Sequence, residues 1–468
     1  VTVSGRFSYK DLFEKAKRAA GAMQALGIGK GDRVAILLPN GEDWLACFYG
    51  AALIGAVTVP VNTRFKSAEI AFCLKQSSAM ALFYVGRFLN NDYAAMVEEI
   101  GFDLAVDLSS RELKGEFRPV PVEPEDLLLI QFTSGTTAYP KGAMLTHDSM
   151  LRNAWAAGTR IGVRADDRYF NCRPFFHVGG STLSALMSLV SGCCLVTLPS
   201  FEAGAALAMM ERERCTLTSG NDTIFQMLMG HEDFPKRKLD LRGGWAAAGP
   251  QTMRQIIDRM GMKAVCAAYG LSEASPNVVM SDARDAEALR VDGLALPLPG
   301  LEIRISGEKE IQVRGWSLMR GYVNDPEATA KAFTQDGWLR TGDLGELTQD
   351  GRLRMSGRMK DVFRVGGENV APAEVEEVLL AHPAVETAQV VGVPDARLGE
   401  VPCAYVTLKS GFTISEEELK NWAREKAANF RVPRYLRIVS DFESIGMTAS
   451  GKVQKQKLRA HALKEFKL

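Results

Sequence analysis

Apolar residues between Tyr9 and Leu26 recur at the spacing of one helix face, and the Gly27-Ile28-Gly29-Lys30-Gly31-Asp32 turn follows them. Next comes a short apolar run, Arg33-Val34-Ala35-Ile36-Leu37-Leu38, which ends at Pro39-Asn40-Gly41 and reads as a strand. After a second helical stretch, Ala56-Val57-Thr58-Val59-Pro60-Val61 repeats that form. Strand, helix and strand in this order predict a largely parallel sheet. The pattern continues through Leu127 to Phe132, Cys194 to Leu198 and Lys263 to Ala268. The first two-thirds of the chain therefore reads as layered α/β units without an internal repeat.

Near residue 295 the texture changes to short β-rich pieces at Leu301 to Ile305, Glu310 to Arg314, Gly345 to Thr348 and Arg352 to Met355. These predict a small β subdomain over about residues 295–355, with Ser306-Gly307-Glu308-Lys309 as a hairpin connection. The last hundred residues restart with a helix from Pro372 to Leu380, strands at Thr387 to Val393 and Val401 to Leu408, and a helix from Ser415 to Asn429. The expected fold is α/β: a large N-terminal domain over 1–359 that includes the β subdomain, and a separate, mobile C-terminal α+β domain over 360–468.

With 468 residues, several folded units are expected. Lys plus Arg balance Asp plus Glu at 56 each, so no global field draws nucleic acid or an anionic membrane, and any anion must be held locally. Eight scattered Cys without CxxC pairs, and only five His, point to reduced thiols in a cytoplasmic enzyme rather than a zinc or disulfide scaffold. The adjacent Cys193 and Cys194 read as packing. Apolar stretches such as Leu45 to Val61 are broken by Gly50 and Gly55 and fall short of the ~20 residues a membrane span requires. The chain begins at Val1 with no basic-then-apolar leader, as a trimmed piece of a longer reading frame would. The pattern leaves the oligomeric state open, a homodimer included.

Chemistry concentrates where the strand Leu127 to Phe132 runs into Thr133-Ser134-Gly135-Thr136-Thr137-Ala138-Tyr139-Pro140-Lys141-Gly142. Glycine lets the backbone approach a phosphate, hydroxyls and amides donate to it, and Lys141 offers a cation. Two look-alikes fail. Gly446-Met447-Thr448-Ala449-Ser450-Gly451-Lys452 fits GxxxxGK, but Val453 replaces the Mg²⁺-binding hydroxyl, and too little chain follows for a βαβ framework. The Gly27-x-Gly29-x-Gly31 run lacks GxGxxG spacing and precedes a strand, which argues against a nicotinamide cofactor.

With that loop and Lys452 both in view, the chain from Phe7 to Leu458 resembles the acyl-adenylate-forming superfamily, which includes acyl-CoA synthetases, aryl-CoA ligases, peptide-synthetase adenylation domains and firefly luciferase. The resemblance rests on the TSGTTAYPKG loop, Tyr269-Gly270-Leu271-Ser272-Glu273, Thr341-Gly342-Asp343, Ser356-Gly357-Arg358-Met359-Lys360-Asp361, Gly366-Gly367-Glu368-Asn369 and Ser450-Gly451-Lys452, in the family's order. It implies an ATP-dependent carboxylic acid–CoA ligase working through an acyl-AMP intermediate, with ATP, Mg²⁺ and coenzyme A as partners. By resemblance, Thr133, Ser134, Gly135, Thr136, Thr137 and Lys141 hold the β- and γ-phosphates, Glu273 and Thr136 support Mg²⁺, and Ser272 contacts the α-phosphate. Ser272 stands where Thr is common, and the hydroxyl is kept. Tyr269 would stack on adenine, with Gly270 next to it in the nucleotide site and Ala247, Ala248 and Gly249 as the adjoining wall, and Asp343 with Arg358 would hold the ribose. The family's role for Lys452 is to bridge the substrate carboxylate and the α-phosphate; for Lys360, to serve as the hinge. The Gly366-Gly367 segment would then guide pantetheine.

Pro174-Phe175-Phe176-His177-Val178-Gly179-Gly180 matches the segment beside the family's acyl pocket, with His177 assigned to positioning. Amino-acid-activating relatives carry an Asp there, and none lies between Phe175 and Gly180. The Ala246-Ala247-Ala248 wall and Ala267-Ala268 leave room for a fatty, alicyclic or aromatic acid. At Asn221-Asp222-Thr223 many relatives have Val-Pro-Thr. Asp222 either brings a polar group near the pocket or caps the helix running from Thr223, and Asp before a helical apolar pattern is a start signal. Rival readings are an enzyme that loads a carrier-protein thiol, a non-catalytic acyl- or nucleotide-binding protein, and a luciferase-like oxygenase. Intact Glu273, Asp343 and Lys452 oppose the non-catalytic one.

Overall fold

A computed structural model of the chain describes residues 1–110, 113–133, 140–447 and 453–468. Ser8 starts the first helix, Tyr9–Ala25: its hydroxyl accepts from the Asp11 amide while the Asp11 carboxylate accepts from the Ser8 amide, a reciprocal cap that satisfies two otherwise orphaned donors. The apolar runs then build two sheets. One has six strands in the order Ala105–Asp107, Ala81–Tyr84, Arg33–Leu37, Val57–Pro60, Leu127–Thr133 and Lys141–Thr146, parallel except for the last pair. The other has seven, in the order Cys194–Thr197, Arg168–Asn171, Leu217–Asn221, Gly243–Ala247, Ala264–Gly270, Asn277–Met280 and Leu296–Pro297, with the first five parallel.

Because successive strand residues point to opposite faces, each strand serves two cores. Val34 and Ile36 enter the same core as Tyr169, Leu217 and Trp245, which lies between the two sheets; Ala35 and Leu37 enter the core beyond the first, and Phe170 and Ala246 the core beyond the second. Layered parallel sheets of this kind open their strand ends at one edge, where ligands bind.

The four-stranded antiparallel sheet Leu301–Ile305, Glu310–Gly315, Leu339–Leu347 and Leu353–Arg358 has its own small core with Ile311 and Val313. Ser306 to Lys309 does form the hairpin connection. The strand expected at Gly345 to Thr348 instead starts at Leu339, and a bulge at Leu344/Gly345 carries it through Thr341-Gly342-Asp343.

The last part of the chain builds a five-stranded sheet in the order Glu368–Val370, Phe363–Val365, Gly399–Leu408 and Val385–Asp395, with Tyr435–Ile438 beside Gly399–Leu408. Its helices Pro372–Leu380, Glu416–Lys426 and Lys455–Glu465 contribute to a core separate from those above. All eight cysteines are free, and only Cys194 is not buried. Among the described residues no helix is long and apolar enough to cross a membrane.

Candidate active site

The strand Ala264–Gly270 ends at the open edge of the second sheet and delivers Tyr269 and Gly270 there. A side chain at Gly270 would strike the Pro276 carbonyl oxygen at 2.0 Å, so only glycine lets the chain double back into the Ser272–Ala274 turn. Asn153, fully buried, clamps that turn: its amide donates to the carbonyls of Asn277 (2.8 Å) and Ala274 (3.3 Å), and its oxygen accepts from the Asn277 amide at 3.2 Å. No motif marks Asn153, and only the assembled fold brings it beside Glu273.

Three predicted residues from distant parts of the chain meet. The Tyr269 hydroxyl donates to one Asp343 oxygen at 2.8 Å, and Arg358 lies 3.2 Å from the other. Asp343 and Arg358 are register partners on adjacent strands, so the antiparallel pairing itself sets their approach. Asp343 is 4 % exposed. Its backbone is pinned by neighbours: the Asp343 amide donates to the Thr341 hydroxyl at 3.0 Å, and the Gly342 amide donates to Glu310 at 3.1 Å. Burial, then the adjacent Asp343 charge, raises the Tyr269 pKa well above its ordinary value, so the phenol stays a donor.

A second cluster gathers around Glu273, whose half-buried carboxylate accepts from the Tyr322 hydroxyl at 2.8 Å. Burial, then Glu273, raises the Tyr322 pKa. The Lys141 ammonium stands over the Tyr322 ring, 5.2 Å from its centroid, and Thr133 pairs with Lys141 across the first sheet's last two strands. Tyr322 thus joins the two predicted residues Glu273 and Lys141, although sequence reading passed it over. Ser134, Gly135, Thr136, Thr137 and Lys452 lie outside the described residues.

Ala248 and Gly249 follow the strand Gly243–Ala247, next to the strand that carries Tyr269. The expected alanine wall is only partly there: strand alternation turns Ala246 and Ala267 into the core beyond the second sheet and leaves Ala247 exposed at the edge. The helix cap differs too. Asn221, not Asp222, caps the helix Asp222–Gly230 by accepting from the Ile224 amide, and Asp222 is its first residue. Asp222 instead accepts from the Gly249 amide at 3.1 Å. Solvent reaches this carboxyl, yet protein flanks it on most sides; that desolvation, with Glu376 adding to it, raises its pKa against the pull of its hydrogen bonds to Thr252 and Gly249.

His177 caps the turn Val178–Gly180, its Nδ1 accepting from the Gly179 amide at 3.0 Å, which puts the neutral ring's proton on Nε2. Lys360 lies in the short turn Met359–Asp361 directly after Arg358, where burial, then Arg358, lowers its pKa. Gly366 and Gly367, with φ of 59° and 99°, form a two-residue hairpin turn that requires left-handed backbone at both positions. That turn is exposed, and the Gly366 amide donates to Leu398 within the small C-terminal sheet.

The family model described as AMP-binding enzyme matches residues 2–323, and the AMP-binding enzyme C-terminal domain matches residues 374–452. A 3-[(3aS,4S,7aS)-7a-methyl-1,5-dioxo-octahydro-1H-inden-4-yl]propanoyl:CoA ligase of Rhodococcus jostii is 36% identical over 487 residues, covering 97% of this chain and 93% of that protein. A mitochondrial medium-chain acyl-CoA ligase of Rattus norvegicus is 32% identical over 520 residues, covering 99% of this chain and 84% of that protein. Among solved structures, ATP-bound MatB from Rhodopseudomonas palustris superimposes with a TM-score of 0.88 at 27% identity, over 99% of this chain and 95% of that one. The chain belongs to the AMP-binding enzyme family, as an acid–thiol ligase of the acyl-CoA synthetase type.

Proposed function

We propose that this site attaches AMP from ATP to a medium-chain, alicyclic or aromatic acid and then hands the acyl group to the thiol of coenzyme A. The observation that carries this reading is the grip of Tyr269 and Arg358 on the buried Asp343. A carboxylate fixed in this way at the edge of the sheets keeps lone pairs for the 2′- and 3′-hydroxyls of a ribose, beside an aromatic face for adenine. The acid range draws on the relatives, one named for a bicyclic propanoate and the other for medium-chain acids.

A free carboxylate is a poor electrophile until one oxygen becomes part of a good leaving group. In the first step the substrate carboxylate attacks the α-phosphorus and pyrophosphate leaves; in the second the thiolate attacks the acyl carbon and AMP leaves. The residues of the chain hold and orient. Asp343 and Arg358 fix the sugar, Ser272 offers a hydroxyl to the α-phosphate, and Thr133 and Lys141 face the outer phosphates. Lys452 would bridge the attacking carboxylate and the α-phosphate, and His177 positions the acid. Glu273 suits Mg²⁺: it offers hard oxygen donors oriented by Tyr322, and the ion when bound would offset phosphate charge. Between the steps the domain after Lys360 would turn about that residue and bring the Gly366-Gly367 hairpin to the pantetheine path.

The test is pyrophosphate release with ATP and Mg²⁺ across short, medium, long, alicyclic and aryl acids, with and without coenzyme A. Acid-dependent release followed by thioester formation is expected. Adenylate without thioester would redirect the second step to another thiol, and silence across the panel would sink the reading.

A further inference from the structure

Two amide side chains of the first sheet reach across to the segment of the second that carries His177. Asn40, just past the strand Arg33–Leu37, holds that segment with both ends of its amide: Nδ2 donates to the Arg173 carbonyl at 2.9 Å, and Oδ1 accepts from the Phe175 amide at 2.7 Å. Gln131, 3 % exposed in the strand Leu127–Thr133, bridges two carbonyls with one NH₂ group, donating to Phe132 at 3.0 Å and to Phe176 at 3.1 Å. The first carbonyl belongs to the peptide that leads into Thr133, and the second to the peptide that leads into His177.

His177 is fixed to this segment in turn. Its backbone amide donates to the Pro174 carbonyl at 3.1 Å and its Nδ1 accepts from the Gly179 amide at 3.0 Å, so the ring follows the backbone on which it sits. The core between the two sheets, with Leu129 and Phe175 in it, is apolar, and apolar contact is non-directional: it holds layers together without fixing their register. Hydrogen bonds weaken steeply when misaligned, so the Gln131 bridge sets the offset between Thr133 on one sheet and His177 on the other.

We propose that Gln131, supported by Asn40, is a positioning residue that registers the acid held at His177 against the phosphates held at Thr133, ready for attack on the α-phosphorus. This rests on the ligase reading. Reacting atoms must approach to about 3–3.5 Å with aligned orbitals, and a misplacement of about 1 Å can cost about 10²-fold in rate. Registration matters only while the acid and the nucleotide are separate molecules. Once acyl-AMP has formed, a covalent bond joins the two, and the bridge has no part in the second step.

The experiment follows the two half-reactions separately, acid-dependent pyrophosphate release and thioester formation from supplied acyl-AMP with coenzyme A, in the wild type, Gln131→Met, His177→Ala and the double variant. Gln131→Met keeps the length of the side chain and removes the NH₂ group. It should lower kcat for pyrophosphate release by about 10-fold or more, hold KM for ATP within about two-fold, and leave thioester formation near the wild-type rate. In the His177→Ala background the same substitution should cost less than about two-fold, because the group it registers is gone. Equal loss in both half-reactions would make Gln131 merely structural, and an equal cost with and without His177 would break its link to that residue; either overturns the proposal. Where Gln131→Met fails to fold, Asn40→Asp decides: it is isosteric, keeps the acceptor for the Phe175 amide and loses the donor to Arg173. The same split between half-reactions is then expected on a smaller scale, and its absence overturns the proposal. A wild type that releases no pyrophosphate with any acid sinks the ligase reading and the proposal with it, an outcome distinct from an active wild type whose variants show no split.

Discussion

The hydroxyl of Tyr269 donates to Asp343 at 2.8 Å although 74 residues separate them, and this contact ties the second sheet to the β subdomain at the candidate site. Asp343→Ala should cost far more than Tyr269→Phe. Removing the carboxylate deletes the acceptors proposed for two ribose hydroxyls and takes away the ion-pair partner of Arg358, so kcat/KM for ATP should fall about 10²-fold or more. Losing the phenol hydroxyl keeps the stacking face and should cost about 10-fold or less. Steady-state kinetics varying ATP separates the two.

Tyr322 holds the Glu273 carboxylate at 2.8 Å and underlies Lys141. Tyr322→Phe keeps the ring under Lys141 and removes one hydrogen bond, so it should reduce turnover by roughly 5- to 10-fold and raise the Mg²⁺ concentration needed for half-maximal rate. A Mg²⁺ titration reads this directly. An unchanged Mg²⁺ requirement would remove Glu273 from ion support.

Asn221 and Asp222 are neighbours with separable duties. Asn221→Ala should lower stability by about 1 kcal/mol, the worth of a cap, with little effect on ATP use. Asp222→Ala frees the Gly249 amide and should act on KM for ATP more than on the melting temperature. Equal behaviour of the two variants in both assays would contradict this division.

Lys452→Gln mimics acetylation of that lysine and should abolish acid-dependent pyrophosphate release while largely sparing thioester formation from supplied acyl-AMP. Losing both half-reactions equally would deny Lys452 its role in adenylation alone.

Asp167, 4 % exposed, accepts from Arg242, from the Thr216 hydroxyl at 2.7 Å and from the Arg164 amide at 2.8 Å. Burial raises its pKa, but these partners outweigh burial and hold it below the ordinary value. A carboxylate depressed in the folded state binds more protons unfolded. Its stabilisation is therefore complete above the unfolded pKa of about 3.9 and is lost as pH falls through the lower folded value. Arg242→Met should lower the melting temperature at neutral pH, and the gap from the wild type should narrow on acidification below about pH 4. A gap independent of pH would contradict the linkage.

Most of the architecture was legible in the chain because its causes are local. The helix Pro372–Leu380 and the strands Leu127–Thr133 and Leu301–Ile305 follow from apolar spacing and turn residues within a few positions. The errors arose where neighbours decide. Asp222 looks like a cap, but the helix begins one residue earlier than expected, at Asp222 itself, and Asn221 at the end of the preceding strand takes the capping position. The strand expected to begin at Gly345 begins at Leu339 instead, because Glu310 on the adjacent strand accepts from Gly342 and draws Thr341-Gly342-Asp343 into the sheet.

By itself the sequence determined which residue types could carry the chemistry and the order in which they come: a phosphate-cradling loop, an aromatic followed by a carboxylate, an Asp and then an Arg, and a terminal lysine. Only the tertiary structure decided which of them touch. Tyr269 reaches Asp343, Tyr322 backs Glu273, Ala246 turns away from the edge, and the buried Arg173 lies over the face of the Trp245 indole. The reason is physical. Spacing along a chain dictates the face a side chain takes within its own element, whereas partners across elements are chosen by how the sheets stack and where their strands end.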